Sequence, residues 1–322
     1  MPKKLKILVI RFSSIGDIVL TTPVIRCLKL QTNAEIDFLT KTDYKEVIIS
    51  NPNISEVYCI SKYSTPLEVL RSNNYDIVID LQNNFRSLKL RFQLGVKSYT
   101  YSKNSFKRYL LVYFGVNLLN DHVVDRYFTS VEKLNVYNDK KGIDYYINSN
   151  TVKTDFNTDQ DYICWCIGGT YEQKKLSITQ IKNIIFQIKL PVLIIGGEAD
   201  KKMGLQILES LEKENVFDLC GETSFDQSAY LMKNSKLVLT NDTGMMHIAS
   251  AFDIPIVSFW GCTKPSLGFA PYLTSKKPHN IITSLSKRPC SKHGKYCRFQ
   301  RDGCIKFIDE NIILTTVERL LK

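Results

Sequence analysis

Short apolar runs recur along the chain, each closed by a polar or glycine-containing turn. In the first half they are KILVI (6–10), EIDFLT (35–40), EVYCI (56–60), YDIVIDL (75–81) and SYTYS (98–102). They are β-branched and apolar on both sides of the alternation, as strands buried on both faces are. Helical patterns fill most of the gaps, so this half predicts repeated βα units. From 103 to 135 the pattern turns helical, through RYLLVYFGVNLL and VDRYFTSVEKL. Residues 138–160 are polar, rich in Asn, Asp and Thr, and predict a linker. The strand pattern then restarts with DYICWCI (161–167), PVLIIGG (191–197), NVFDLCG (215–221), KLVLTND (236–242), PIVSFWG (255–261) and NIITS (280–284). The helical stretches SITQIKNIIFQIK, KKMGLQILESLEKE and SFDQSAYLMKNS separate them, and DENIILTTVERLLK is the last. The expectation is two doubly wound α/β domains, 1–150 and 151–322. Such sheets bind ligands beyond the carboxyl ends of their strands, and a cleft between the two domains is where a ligand is expected.

Composition agrees with this division. A chain of 322 residues exceeds one comfortable core. No apolar run approaches the roughly 20 residues of a membrane span. The amino-terminal run is about five residues and Arg11 closes it, short of a signal peptide's apolar region. A cytoplasmic protein is therefore expected, with its nine cysteines largely reduced.

Charge adds a partner class. The net charge of +11 is unevenly placed. Between Asp80 and Asp121 there is no acid, while Arg86, Lys89, Arg91, Lys97, Lys103, Lys107 and Arg108 all fall there. A second basic stretch runs from Lys276 to Lys306 with Asp302 as its one acid. Such runs are commonly a solvated face. Runs of this length also create a field that attracts an anion, such as a phosphorylated sugar or an anionic membrane surface. No nucleic-acid-binding motif is present, so nucleic acid is not an expected partner.

Four turns carry candidate chemistry. RFSSIGDIVLTTPVIRCLK (11–29) follows the first strand, yet lacks the glycine pattern of a dinucleotide site and the Gly-Lys-Ser/Thr of a P-loop. It places a carboxylate, Asp17, where an anion-binding turn wants none. In LVLTNDTGMMHIASAFDIPIVSFWG (237–261), a strand ends at Asn241-Asp242 and Thr243-Gly244 opens a helix. Free N–H groups at that helix start suit a phosphate, and Thr243 adds a hydroxyl. Capping of the helix by Asp242 or Thr243 explains the same residues. CWCIGGTYEQKKLS (164–177) sets Thr170 in a Gly-Gly-Thr turn with Lys174 and Lys175 behind it, a second diphosphate contact. In LIIGGEAD (193–200), Glu198 is a candidate for ribose hydroxyls or a plain surface carboxylate.

The Ser-x-Gly-Asp turn after the first strand and the Asp-Thr-Gly-x-x-His helix start together resemble glycosyltransferase family 9, the heptosyltransferases of lipopolysaccharide core assembly. The resemblance covers essentially the whole chain. It implies the GT-B architecture, two Rossmann-like domains facing a central cleft, with the acceptor on the amino-terminal domain and the nucleotide-sugar on the other. It also implies an inverting transfer with Asp17 as catalytic base, which answers why an acid sits at that strand end: a sugar hydroxyl needs a proton acceptor. Thr170, Lys174, Thr243 and Gly244 would meet the diphosphate charge, and Asp242 would hold sugar hydroxyls. Ser13, Ser14 and Gly16 would shape the turn and touch the acceptor. Lys103, Lys107 and Arg108 would face its anionic groups. The implied donor is ADP-heptose, the implied acceptor a lipopolysaccharide core or other lipid-linked glycan at the inner-membrane surface, and no cofactor is expected. Where family members often read Lys-x-Trp-Pro, this chain reads KKLS (174–177), which puts nucleotide preference in doubt.

Another nucleotide-sugar, a different surface glycan, or a non-catalytic nucleotide-sugar-binding scaffold are the competing readings. A carboxylate at position 17 gains a pure binder of anionic donors nothing. Cys290, Cys297 and Cys304 lie close together with His293 among them. Three Cys and one His make a zinc set in principle, but the spacing fits no standard knuckle and no metal is assigned.

Overall fold

The computed structural model describes residues 4–61, 64–152, 154, 156–211, 214–252, 254–272 and 277–322. Lys276, the first residue of the second basic stretch, lies outside them, as do Lys153 and Asp155 of the expected linker. The chain forms two compact units. One is Met1–Lys103 with Asp121–Tyr146; the other is Asn104–Asn120 with Ile147–Lys322.

The first unit carries β1 (Lys6–Ile10), β2 (Glu35–Lys41), β3 (Glu56–Ile60), β4 (Ile77–Asp80) and β5 (Ser98–Thr100). They pair in the order β3-β2-β1-β4-β5, every neighbour parallel. Ile7, Leu8, Val9 and Ile10 are all fully buried, as the two-sided apolar run requires. The order reverses between β1 and β4. The crevice outside their carboxyl ends is where such a sheet takes a ligand.

The second unit repeats the plan with β6 (Ile163–Cys166), β7 (Val192–Ile195), β8 (Val216–Asp218), β9 (Leu237–Asn241), β10 (Ile256–Trp260) and β11 (His279–Ile282). Their order is β11-β10-β9-β6-β7-β8, again all parallel, and it reverses between β6 and β9. Helix Ile178–Gln187 opens at Ser177, whose hydroxyl accepts from the Gln180 N–H. Its stripe of Ile181, Ile184 and Ile185, with Ile188 just beyond, joins Trp165, Phe259 and, from helix Glu310–Leu321, Ile313, Leu314 and Val317 in one core. Each fully buried isoleucine contributes about 1.5–3 kcal/mol.

Two stretches depart from the expected outline. The helical pattern of 103–135 is broken into helix Ser105–Tyr109, a π-helical turn Leu110–Phe114 ended by Gly115 at φ 75°, irregular chain, and helix Val123–Phe128. Within it Leu111, Val112 and Leu119 pack on Leu267 and Phe269, which groups 104–120 with the second unit. The polar stretch from 138 is docked at its start. Arg26, on helix Thr22–Thr32, donates to both Asp139 oxygens at 2.8 and 2.9 Å and to the Gly142 carbonyl at 2.9 Å, and pairs with Asp144. Among the described residues, no helix is long and apolar enough to cross a membrane.

Candidate active site

In the first unit the turn after β1 is organised by a buried cation. Arg11 is 6% exposed and sends its guanidinium three ways: Nε to the Ser13 carbonyl at 2.8 Å, Nη1 to the Leu81 carbonyl, and Nη2 to Asp17 Oδ2 at 2.9 Å. Leu81 follows β4, so Arg11 ties the two strand ends at the switch point. Burial pulls the Arg11 pKa down, but Asp17, Tyr127 and Tyr101 more than reverse this and hold the guanidinium charged. Its carbon lies 5.7 Å from the Tyr127 ring centroid.

Asp17 stands in the first turn of helix Ile15–Val19. Ser14 donates to Asp17 Oδ2 from its backbone N–H at 3.3 Å and its hydroxyl at 3.2 Å. The cap and the ion pair thus converge on one carboxylate oxygen, and the side chain keeps 25% of its exposure. Arg11 and Ser14 orient the carboxylate without closing it off from solvent. Gly16 is buried in the same turn.

In the second unit the ends of β6 and β9 meet in the same way. Asn241 Nδ2 donates to the Ile167 carbonyl at 2.8 Å and the Gly168 carbonyl at 3.1 Å. Lys174, in the turn Glu172–Lys174, places Nζ 2.6 Å from Asp242 Oδ2 and 2.9 Å from the Asp242 carbonyl. Thr263, after β10, donates to the same Oδ2 at 2.6 Å. Thr243 caps helix Gly244–Ala249 by position only: its hydroxyl oxygen is buried without a hydrogen-bond partner. A buried polar atom left unpaired costs about 1–3 kcal/mol, which a ligand or a water offsets. The neighbouring lysine has another task. Lys175 is buried and pairs with Asp200 at 2.9 Å and Glu172 at 3.0 Å.

The structure thus brings Lys174, Asp242 and Thr243 together, with Gly244 next in the chain. Thr170 is exposed on the turn after β6. Glu198 is 78% exposed and pairs with Lys201 at 2.9 Å. Lys107 is exposed, whereas Arg108 is buried with its guanidinium 4.9 Å from the Phe269 ring centroid. Both belong to the second unit, while Lys103 closes a segment of the first. The Lys103 carbonyl accepts from Arg126 at 3.3 Å.

Sequence reasoning overlooked Arg11, which it read only as the end of an apolar run, and Thr263, two residues beyond the quoted motif. A lone cation closing a fully buried strand was the available signal for the first.

Residues 67–300 match the profile of glycosyltransferase family 9 (heptosyltransferase). The chain belongs to glycosyltransferase family 9. Lipopolysaccharide heptosyltransferase 2 of Salmonella typhimurium is 25% identical over 323 residues, covering 88% of this chain and 90% of that protein. Lipopolysaccharide heptosyltransferase 1 of Campylobacter coli is 25% identical over 348 residues, covering 98% and 99%. Among solved structures, a family 9 glycosyl transferase from Veillonella parvula superposes with a TM-score of 0.81 at 21% identity, covering 100% of this chain and 98% of that one. The ADP-heptose lipopolysaccharide heptosyltransferase II of E. coli does so with a TM-score of 0.71 at 21% identity, covering 98% and 100%. The fold is therefore GT-B in its make-up, two Rossmann-like units, and this family 9 protein is a glycosyltransferase.

Proposed function

We propose that the protein transfers a heptose from ADP-heptose to an anionic lipopolysaccharide inner-core acceptor, with inversion and with Asp17 as general base. The observation that carries this is the Asp17 carboxylate, fixed by Arg11 and Ser14 at the switch point of the first sheet yet still open to solvent. In the reaction, an acceptor hydroxyl attacks the anomeric carbon while Asp17 takes its proton. The bond from that carbon to the diphosphate oxygen breaks, and ADP leaves with the electron pair. Lys174, the Thr243 hydroxyl and the N–H of Gly244 meet the charge that grows on the leaving group, with Thr170 as a further donor. In the free protein Lys174 is held by Asp242, so a donor diphosphate competes for a cation already in position.

The choice of heptose rests on the names of the curated relatives and on the paired Ser-x-Gly-Asp and Asp-Thr-Gly motifs, and that of ADP on the solved E. coli ADP-heptose lipopolysaccharide heptosyltransferase II. The acceptor's setting rests on surface chemistry. Helix Phe85–Leu94 exposes Phe85 (83%), Leu88 and Phe92 (78%) at i, i+3 and i+7, with Lys89 beside them. An aromatic face rimmed by cations suits the interface of an anionic bilayer, where a lipid-linked acceptor resides.

The test is a panel of nucleotide-sugars, ADP-heptose included, offered with core acceptor to wild type and Asp17→Asn. Turnover of ADP-heptose by wild type alone, with donor binding retained in both, supports the reading. Preference for another nucleotide-sugar removes the heptose assignment and leaves the base; equal turnover by both proteins removes the base.

A further inference from the structure

Outside the transfer machinery, four cysteines converge. Cys262 lies just after β10, Cys290 and Cys297 come from the irregular chain after β11, and Cys304 opens the short 3-10 helix Cys304–Phe307. Their sulfurs all lie within 4.8 Å of one another. The Cys262–Cys304 separation is 3.7 Å, and Cys290 stands 4.0 Å from both Cys297 and Cys304. Bonded sulfurs would sit about 2.05 Å apart, so these are not disulfides. A metal–thiolate bond of about 2.3 Å places the sulfurs of a regular tetrahedron about 3.8 Å apart. The spacing is that of a tetrahedral cage.

The surroundings suit thiolates. Cys262, Cys290 and Cys304 are fully buried, and Cys297 is partly so. The Phe299 N–H donates to Cys297 Sγ at 3.4 Å, two residues on, the local N–H···S contact that stabilises a thiolate. Arg298 donates to the Cys290 carbonyl, and Lys264, two residues after Cys262, is 2% exposed. His293, the sequence's candidate fourth member, is not part of the group; Cys262 takes that place. The motif as read ended at Gly261, one residue short of it.

We propose that Cys262, Cys290, Cys297 and Cys304 bind one thiophilic metal ion, zinc or iron, in a closed tetrahedral tetrathiolate site. Four protein sulfurs leave no open position, so the site is structural. Its place in the fold says what it holds. Cys262 directly precedes Thr263, whose hydroxyl positions Asp242. Gly294, between Cys290 and Cys297, lies so close to Lys174 that a Cβ there would come within 2.8 Å of Lys174 Cγ. Gly303, beside Cys304, abuts the Gln173 backbone, where a Cβ would meet Cα at 2.5 Å. Gln173 Nε2 also donates to the Arg301 carbonyl at 3.1 Å. The metal loop is therefore laid against both residues that hold Asp242, Lys174 and Thr263.

Metal analysis of the purified full-length protein tests this directly, with zinc and iron read separately by mass spectrometry. One equivalent of either per chain, lost in Cys304→Ser and in Cys297→Ser, is the expected result. Replacement by cobalt should give thiolate-to-cobalt charge-transfer bands. Should the variants fail to fold, wild type decides alone: chelation must release the metal and make four further thiols reactive to alkylation. No bound metal, metal retained at full stoichiometry in both variants, or four thiols reactive without chelation would each overturn the site. The second half of the inference rests on the donor-site reading and has its own measurement. The chelated protein should bind ADP at least tenfold more weakly if the loop sets Lys174 and Thr263. Unchanged ADP affinity would overturn that coupling while leaving the metal site standing.

Discussion

The Arg11 guanidinium stands 2.9 Å from the Asp17 carboxylate, on the residue that directly follows the strand delivering the turn. The cation is buried and the acid keeps a quarter of its exposure, so Arg11 is the fixed partner and Asp17 the one open to solvent. Its other two bonds, to Ser13 and Leu81, anchor the pair to the backbone of both strand ends.

Asp17→Asn should leave the fold and donor affinity intact and lower kcat by about 100- to 10 000-fold, the range for loss of a general base. Steady-state kinetics with saturating donor checks it. A loss smaller than about fivefold would assign Asp17 to capping.

Arg11→Lys replaces a three-way fork by a point charge. Lysine cannot serve Ser13, Leu81 and Asp17 together, so kcat should fall while the KM for donor stays near wild type. Arg11→Met, which leaves the Ser13 and Leu81 carbonyls without their donor, should also lower stability by about 1–3 kcal/mol. Chemical denaturation and kinetics on the two variants separate positioning from bulk stability.

Lys174→Met should raise the donor KM roughly 10- to 100-fold, the effect of losing a charge-assisted hydrogen bond. Lys175→Met should act differently. Lys175 is committed to Asp200 and Glu172, so its loss should lower the melting temperature more than donor affinity. Equal effects on both readouts in both variants would merge the roles assigned to the two lysines.

Acid sensitivity should trace to the Arg26 network. Hydrogen bonds from Arg26 hold the Asp139 carboxyl below its ordinary range, whereas burial pushes that of Asp144 up. On acidification the unfolded chain protonates at Asp139 before the native one does. The stabilisation from Asp139 is thus complete above the ordinary carboxylate pKa and fades as pH falls through the depressed native value. Asp139→Asn should cost about 1–3 kcal/mol at pH 7. The gap to wild type should narrow progressively as pH falls below the ordinary carboxylate value of about 4. Denaturant titrations across this pH range decide it; a gap independent of pH would sink the assignment.

Phe85→Ser with Phe92→Ser should weaken binding to anionic phospholipid vesicles, with little change in turnover of a soluble acceptor analogue. Co-sedimentation with vesicles of anionic and of neutral lipid measures both the apolar and the charge component. Unaltered vesicle binding would remove this helix from the membrane-facing surface.

The strands were plainly legible, because parallel strands buried on both faces read as uninterrupted apolar runs; KILVI and LVLTN could hardly be anything else. The 103–135 stretch was less so. Apolar residues such as Leu111 and Leu119 show that a segment is buried without showing which sheet it covers. Asp17 and Asp242 were visible through their motifs. Arg11 and Thr263 were not, since their partners are a carbonyl some 70 residues away in one case and a neighbouring strand's turn in the other. The cysteine group was half seen: three of its members are near in sequence, and the fourth joins them only because β10 ends beside the same loop. Arg108 belongs to the basic run in sequence, yet the fold buries it against Phe269, which charge along the chain does not reveal.

The excursion of 104–120 into the second unit has a consequence for anyone who would cut or recombine the protein. Neither unit is one continuous stretch. A fragment ending at residue 150 takes Leu111, Val112 and Leu119 with it, away from Leu267, and leaves both pieces with apolar surface uncovered. Grafting the first unit of this chain onto the second unit of a relative must therefore transplant two segments and leave the excursion behind with its host. A single crossover would produce a chain in which a correct sheet is attached to a foreign patch.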